Sequence, residues 1–382
     1  MNRVLYLAFL LSISPAVALA GHWEFDASGL AGAYYGISET KDVGSVDNLA
    51  NRWVTRADAS FKSDYVFQKE HRLGLRADTT LIFKAHDRSR RDGEWRFFPY
   101  LTDDSSWGNF KLGYVYNAAY QLHRGARDIT FLGVEATNLV YFLSNPNWAN
   151  KTKSVKFATP KSVAMINDGR APKLSYITPW LGNTKFGFSY TPDNAHRRGM
   201  VSRYTDYEKT MDGYVWAMQN KWQLSSSVLY TSAGYGIFNR TDKEASVGVR
   251  WQKGSFNLGA GYKKAYVDGK ENAIATARVN AFLPAYFDNY RESEVWNFSL
   301  GYDFGRYKTN VAYFQSEAAN TRHRDVFYLW SNAYRLSKNL DIVMIGSYLN
   351  AHGDKAHSDD NAKGYALSLI HISEPTRPLY IS

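Results

Sequence analysis

Cysteine is absent from all 382 residues, and there are only 10 prolines and 6 methionines. A large chain without thiols cannot be a disulfide-stapled scaffold and takes its stability from packing and backbone pairing. Long hydrophobic runs are also missing beyond the N-terminus. A membrane-crossing helix needs roughly 20 apolar residues, and after residue 20 no stretch approaches that length without charge. His/Asp/Glu clusters with metal spacing are missing too, so the sequence calls for no metal and no cofactor. His22, His71, His86, His123, His196, His323, His352 and His357 are scattered and mostly fall in expected loops or turns. An enzyme would need a nucleophile, a base and an orienting group within mutual reach, so the expectation is a protein without bond chemistry.

What is present begins with MNRVLYLAFLLSISPAVALA. One cation at Arg3, an apolar run from Val4 to Leu11 and small residues at Ala18 and Ala20 read as a secretory signal peptide spanning 1–20. The chain is expected to leave the cytoplasm. Aromatic residues make up 16%, with 28 Tyr and 11 Trp, while mean hydropathy is −0.43. This is a polar chain rich in residues that suit strands and membrane interfaces. Net charge is +10, or +9 (44 basic against 35 acidic residues) once Arg3, Glu374 and Arg377 are set aside with the termini. Nucleic acid, anionic lipid and anionic solutes all suit such a surplus; an exported chain leaves nucleic acid out.

From Gly21 onward, residues alternate with period two, the mark of half-buried strands. Trp53, Thr55, Ala57, Ala59 and Phe61 share one face, and Arg52, Arg56, Asp58, Ser60 and Lys62 the other. The next run sets Leu73, Leu75, Ala77, Leu81 and Phe83 against Arg72, Arg76, Asp78, Thr80 and Lys84. Phe186/Phe188/Tyr190, Val247/Val249/Trp251 and Trp296/Phe298/Leu300/Tyr302 continue the rule. Short connections such as Asp303–Arg306 and Gln252–Ser255 alternate with long polar ones: Glu39–Asn51, Ala85–Arg96, Asp193–Thr210, Lys263–Glu292, Gln315–Arg324 and Asn350–Lys363. With an apolar outer face and a polar inner one, the fold class expected is all-β: a transmembrane antiparallel β-barrel of about 16 strands around a water-filled lumen.

Several stretches resemble the Gram-negative trimeric porin family. Asn332-Ala-Tyr-Arg-Leu-Ser-Lys-Asn339 followed by Leu340–Tyr348 is similar to that family's turn before its penultimate strand, and Ala171–Thr178 with Gly182–Tyr190 to the strand pair after its constriction loop. The likeness is one of pattern and order over Gly21 to Ala366, the expected barrel domain. It implies an outer-membrane porin for passive diffusion of small hydrophilic solutes and ions, a homotrimer, outer-membrane lipid and lipopolysaccharide as surroundings, and a third long loop folded into the lumen. Ala118–Arg170 holds that loop's position after the fifth strand, although the family's Pro-Glu-Phe-Gly-Gly-Asp motif is missing. By position the loop acids facing the lumen are Asp128, Glu135 and Asp168. Arg52, Arg56, Arg72 and Arg76 form the expected basic wall, with Asp58, Asp78 and Lys84 beside them. Where the register allows it, Asp58 and Asp78 pair across the strands with Arg76 and Arg56, and the wall is expected to favour anionic solutes, since guanidinium keeps its charge and offers a fork to oxyanions.

Three other features of the sequence point further. The basic stretch Ala85–Arg96 fits a latch onto a neighbouring subunit, a contact for lipopolysaccharide phosphates, or a plain solvated loop. Tyr116, Tyr120, Tyr141, Phe142 and Trp148 would suit a sugar-stacking track, the alternative to a general pore. Finally, Leu367–Arg377 resembles a translated sequencing adapter, so residues 367–382 are expected to replace the last strand, which would be lost after Gly364-Tyr-Ala366; Pro375 and Pro378 would interrupt its ladder.

Overall fold

The computed structural model describes residues 21–42, 45–68, 71–86, 91–129, 162–166, 168–193, 211–238, 242–267, 292–318, 324–337, 340–352, 360–373 and 379–381. Within the strands, side chains 37–52, 68, 84–94, 211 and 351–381 are not described. The proposed signal peptide and Glu135 lie outside the described residues.

Alternation becomes a ladder of strands: β1 (His22–Asp42), β2 (Ser45–Gln68), β3 (His71–His86), β4 (Arg91–Ser105) and β5 (Gly108–Tyr114). A short helix, α1 (Ala118–Leu122), follows. The ladder resumes with β6 (Pro172–Ile177), β7 (Thr184–Asp193), β8 (Met211–Leu224), β9 (Ser227–Phe238), β10 (Asp242–Lys253) and β11 (Phe256–Val267). It ends with β12 (Ser293–Phe304), β13 (Tyr307–Ala318), β14 (Arg324–Ser337), β15 (Leu340–His352), β16 (Asp360–Ser373) and β17 (Leu379–Ile381). Each strand from β1 to β16 pairs antiparallel with its sequence neighbour, and β16 pairs back onto β1, with Leu367 opposite Tyr35 and Ile370 opposite Gly32. The sixteen long strands therefore each have two neighbours, the arrangement lipid requires of a spanning sheet. β17 also pairs with β1.

Expected and observed strand ends differ most at three places. The loop expected over Glu39–Asn51 shrinks to the link between Asp42 and Ser45, and that over Ala85–Arg96 to the link between His86 and Arg91. Charged residues signal loop there in the sequence, yet a ladder needs only backbone partners. β16 runs on to Ser373 instead of ending at Ala366, because the tail segment Leu-Ser-Leu-Ile-His-Ile-Ser supplies β-favouring residues whose backbone finds β15 and β1 on either side.

The outward face carries the apolar residues the alternation picked out. Phe186, Val247, Phe256, Trp296, Phe298, Leu300, Tyr328, Trp330 and Met344 are all exposed. Tyr262 lies against Trp296, Phe256 against Tyr302 and Tyr307 against Tyr334 across neighbouring strands, pairs of the kind that stabilise a sheet face. Among the described residues no helix is long and apolar enough to cross a membrane.

Placing Arg at Phe298, an outward position near the middle of β12, is expected to cost about 2–4 kcal/mol in lipid. The same change at Trp107, in the turn before β5, should cost under ~1 kcal/mol. Urea titration of barrels refolded into vesicles measures both.

Candidate functional site: a loop strapped to the inner wall

The inner face is identified by what touches it. After β5 the chain turns inward at Asn117, whose side chain caps α1 by accepting from the Tyr120 N–H (2.8 Å). The Ala118 N–H donates to Ser189 Oγ on β7 (2.8 Å), and the Arg124 N–H to Ser232 Oγ on β9 (2.8 Å). Arg250 on β10 donates to the carbonyls of Gly125 (3.0 Å) and Ala126 (3.3 Å). The Arg127 N–H reaches Ser299 Oγ on β12 (2.7 Å), and Asn310 Nδ2 on β13 reaches the Arg127 carbonyl (3.2 Å). Arg127 also grips Asp303 with both guanidinium nitrogens (2.9 and 2.8 Å). Seven strands are crossed by one strap of loop.

Small wall residues make this approach possible. A Cβ added at Gly259 would sit 2.6 Å from the Gly125 carbonyl oxygen, and one at Gly248 would strike the Arg124 carbonyl. Helix α1 beds its Ala118, Ala119 and Leu122 in an apolar patch with Met165, Val215 and Phe238. Farther round, Val163 and Ala126 of the loop pack on an inner apolar surface built from Phe314, Phe327, Leu329, Ile345 and Leu349. His123, half-buried between strap and wall, is held neutral down to about pH 4, first by burial and then by the charges of Arg250, Arg124 and Lys263.

The return end is locked differently. Asp168 is 1% exposed and bonds Lys173 Nζ (2.6 Å), Asn117 Nδ2 (2.7 Å) and Thr191 Oγ1 (3.1 Å). Asp168 is thus corrected from a lumen-facing acid to the buried hub that ties the loop's two ends to β6 and β7. Asp128 is exposed at the end of the strap, near enough to act electrostatically on Arg250.

The arginines expected to form a basic wall lie at different levels of β2 and β3. Arg56 lies opposite Ile82, so six residues, roughly 20 Å of strand, separate its level from that of Arg76, which lies opposite Lys62. Asp58 is opposite Thr80 and Asp78 opposite Ser60. The cross-strand pairs expected therefore do not form: Arg56 pairs with Asp58 on its own strand (2.6 Å), Arg76 with Asp64 (2.8 Å), and Asp78 with Arg170 from the end of the loop (2.5 Å). Arg72 pairs with Glu24 (2.8 Å) near the short turn between β2 and β3. Backbone register sets Arg52 opposite His86 and Lys84 opposite Val54; their side chains are outside the description. Arg170 also lies over the Phe98 ring (4.0 Å) and near Tyr116 (5.4 Å), which stacks on Tyr120 (4.0 Å).

Sequence reading missed the strap's hooks, Ser189, Ser232, Arg250, Ser299, Asp303 and Asn310. Their signal was a row of small and polar residues on the lumen-facing side of strands whose other side is aromatic. Removing one member of the buried pair, as in Lys173→Met, leaves Asp168 uncompensated and is expected to cost about 3–5 kcal/mol. Replacing Asp168 by Leu as well should recover much of that loss; refolding midpoints in urea check both.

The profile of the Gram-negative porin family matches residues 8–356. A search of curated proteins finds no match. Among solved structures, Salmonella typhi OmpF, crystallised with daunomycin, superposes with TM-score 0.55 at 12% identity, over 91% of this chain and 97% of that one. The anion-selective porin from Comamonas acidovorans gives 0.52 at 10% identity, over 92% and 100%. OccK5 (OpdH) of Pseudomonas aeruginosa gives 0.51 at 11% identity, over 93% and 99%. At such identities these likenesses concern the fold, and it is the family match over most of the chain, together with the paired strands and the strap across their inner face, that decides membership: the chain belongs to the Gram-negative porin family, outer-membrane barrel channels for the diffusion of small solutes.

Proposed function

We propose that this porin is a general diffusion channel with a preference for anions, and that its narrow zone lies between the strapped loop and the wall of β1–β5. The observation that carries this reading is the strap itself: a loop bonded to β7, β9, β10, β12 and β13, which meets β3 and β4 only through Arg170 at its return end among the described residues, leaves that far wall as the other side of the passage. That wall bears Arg56, Arg76, Asp58 and Asp78, with Arg52 and Lys84 on the same strand faces. Four of its cations have carboxylate partners, Arg56, Lys62, Arg72 and Arg76, and Arg170 from the end of the loop pairs with its Asp78. A paired wall gives a transverse field and a defined width and little net charge, so selectivity follows from the cations that remain unpaired elsewhere in the lumen. No bond chemistry is involved.

A sugar-selective channel is the second reading, favoured by the Tyr116–Tyr120 stack. Tyr141, Phe142 and Trp148, the rest of that track, lie outside the described residues. Saturable block of ion current by a sugar would support it over a general pore.

The homotrimer is likewise a proposal. It is supported by the outward centre of β1–β3, where Ala31, Ala33, Thr55, Ala57, Ala77 and Thr79 form a flat area between Trp53 and Phe83 on one side and Phe61 and Leu75 on the other. Such a face admits close approach of another barrel.

In planar bilayers under a potassium chloride gradient, the wild-type reversal potential is expected to report chloride over potassium. Asp78→Asn releases Arg170 from its partner and should raise that preference about two- to five-fold, the weight of a contact of ~0.5–1 kcal/mol. Cation preference in the wild type would refute the proposed selectivity.

A further inference from the structure

The wall opposite the paired arginines holds a group of cations that the strap brings together. Two rows cross β7–β10 on the inner face. The first is Lys185, Gln219, Ser232 and Gly248; the second, nearer the short turns, is Lys221, Tyr230 and Arg250. Both have the facing of Ser232 and Gly248, which meet the loop, and the opposite facing to Phe186, Met218 and Val247, which are exposed outward. Strand spacing of about 4.8 Å and a two-residue rise of about 7 Å confine these rows to a patch of roughly 14 by 7 Å. Arg124 is seated over the first row by its bond to Ser232.

Charge accounting sets this patch apart. Lys185 lies over the Trp180 ring (4.9 Å), Lys221 near the Tyr230 ring (5.9 Å), Arg250 bonds loop carbonyls and Arg124 bonds the His123 carbonyl (2.8 Å). Among the described residues, none of the four has an ion-pair partner, although four cations of the opposite wall do. The nearby Asp128 acts on Arg250 from the end of the strap, and Arg127 is already satisfied by Asp303. Aromatic faces and carbonyl oxygens hold these cations in place without cancelling their charge.

We propose that Arg124, Arg250, Lys185 and Lys221 form a binding site for a compact dianion, an oxyanion of the phosphate or sulfate type or a short dicarboxylate, on the short-turn side of the loop. The site rests on the reading of the lumen as an anion-preferring pore and gives that preference an address. Two cation rows on one face match two negative charges better than one, because each charge then meets more than one fixed cation. Solvent reaches Lys185 and Lys221, which keeps binding weak and release fast, as conduction requires. Its place beside the turns, the inner side of the membrane in this family's usual orientation, puts it late on the path of an anion moving inward.

The test uses the full chain in uniformly oriented planar bilayers, with inorganic phosphate as probe against chloride current. Phosphate added on the short-turn side should block at a concentration about tenfold below that needed from the long-loop side, and Lys185→Gln/Lys221→Gln should raise the blocking concentration about tenfold, equivalent to ~1.4 kcal/mol. The position of the loop should be unchanged, because neither lysine bonds it, while the chloride preference read from the reversal potential should fall with the two charges removed. Arg124→Gln, on the loop itself, should weaken block to an intermediate degree. Equal block of variants and wild type, or equal block from both sides, in a channel that still prefers chloride would overturn this site and leave the pore reading standing. A wild-type channel without chloride preference would overturn the pore reading, and this site with it.

Discussion

Lipid cannot hydrogen-bond a peptide group, and this one constraint organises the molecule. Every strand needs two neighbours, which the ladder supplies by returning from β16 to β1. Once the sheet returns on itself it has an outside and an inside, and period two sorts each strand's residues between them. The aromatic and aliphatic outward face and the polar, small inward face are two halves of one sequence pattern.

A lumen lined by polar groups can then hold a loop, because backbone that would be intolerable in lipid finds partners on the wall. The strap uses short side chains, Ser189, Ser232 and Ser299, so that it lies close, and it uses Gly248 and Gly259 where the loop carbonyls press against the sheet. Each neutral hydrogen bond contributes only about 1 kcal/mol net. Their number, the bidentate Arg127 to Asp303 grip and the buried Asp168 to Lys173 pair together offset the entropy of ordering the chain. The same strap consumes some wall cations as anchors and leaves others with their charge open to the passage.

Much of this was legible in the sequence and the remainder has physical reasons for being hidden. Alternation located the strands, and the position of Ala118–Arg170 after the fifth strand located the loop. Arg56 and Arg76 were legible as candidates. Their partners were not, because pairing depends on register: with Arg56 opposite Ile82, Asp58 turns to its strand neighbour and Asp78 is left for Arg170. Asp168 was misread because nothing in a linear sequence tells a lumen acid from one folded under against Lys173. The inner apolar surface around Phe314 and Phe327 was missed for a related reason, since alternation assigns the inside to polar residues unless something covers it. Polar runs over Glu39–Asn51 and Ala85–Arg96 signalled loop, whereas strand pairing there rests on the backbone.

The account stands on the strap lying against the inner wall as far as β12, and the absence of native cysteine allows this to be measured directly. Arg127→Cys combined with Ser299→Cys replaces a contact in which the loop N–H meets the wall hydroxyl at 2.7 Å, within the range that a disulfide can bridge. Mild oxidation of the folded barrel in detergent should link the two completely and leave single-channel conductance close to that of the reduced form, because the loop is already there. Two thiols that stay free to alkylation in the folded barrel would show that the loop does not lie on this wall, and would contradict the account.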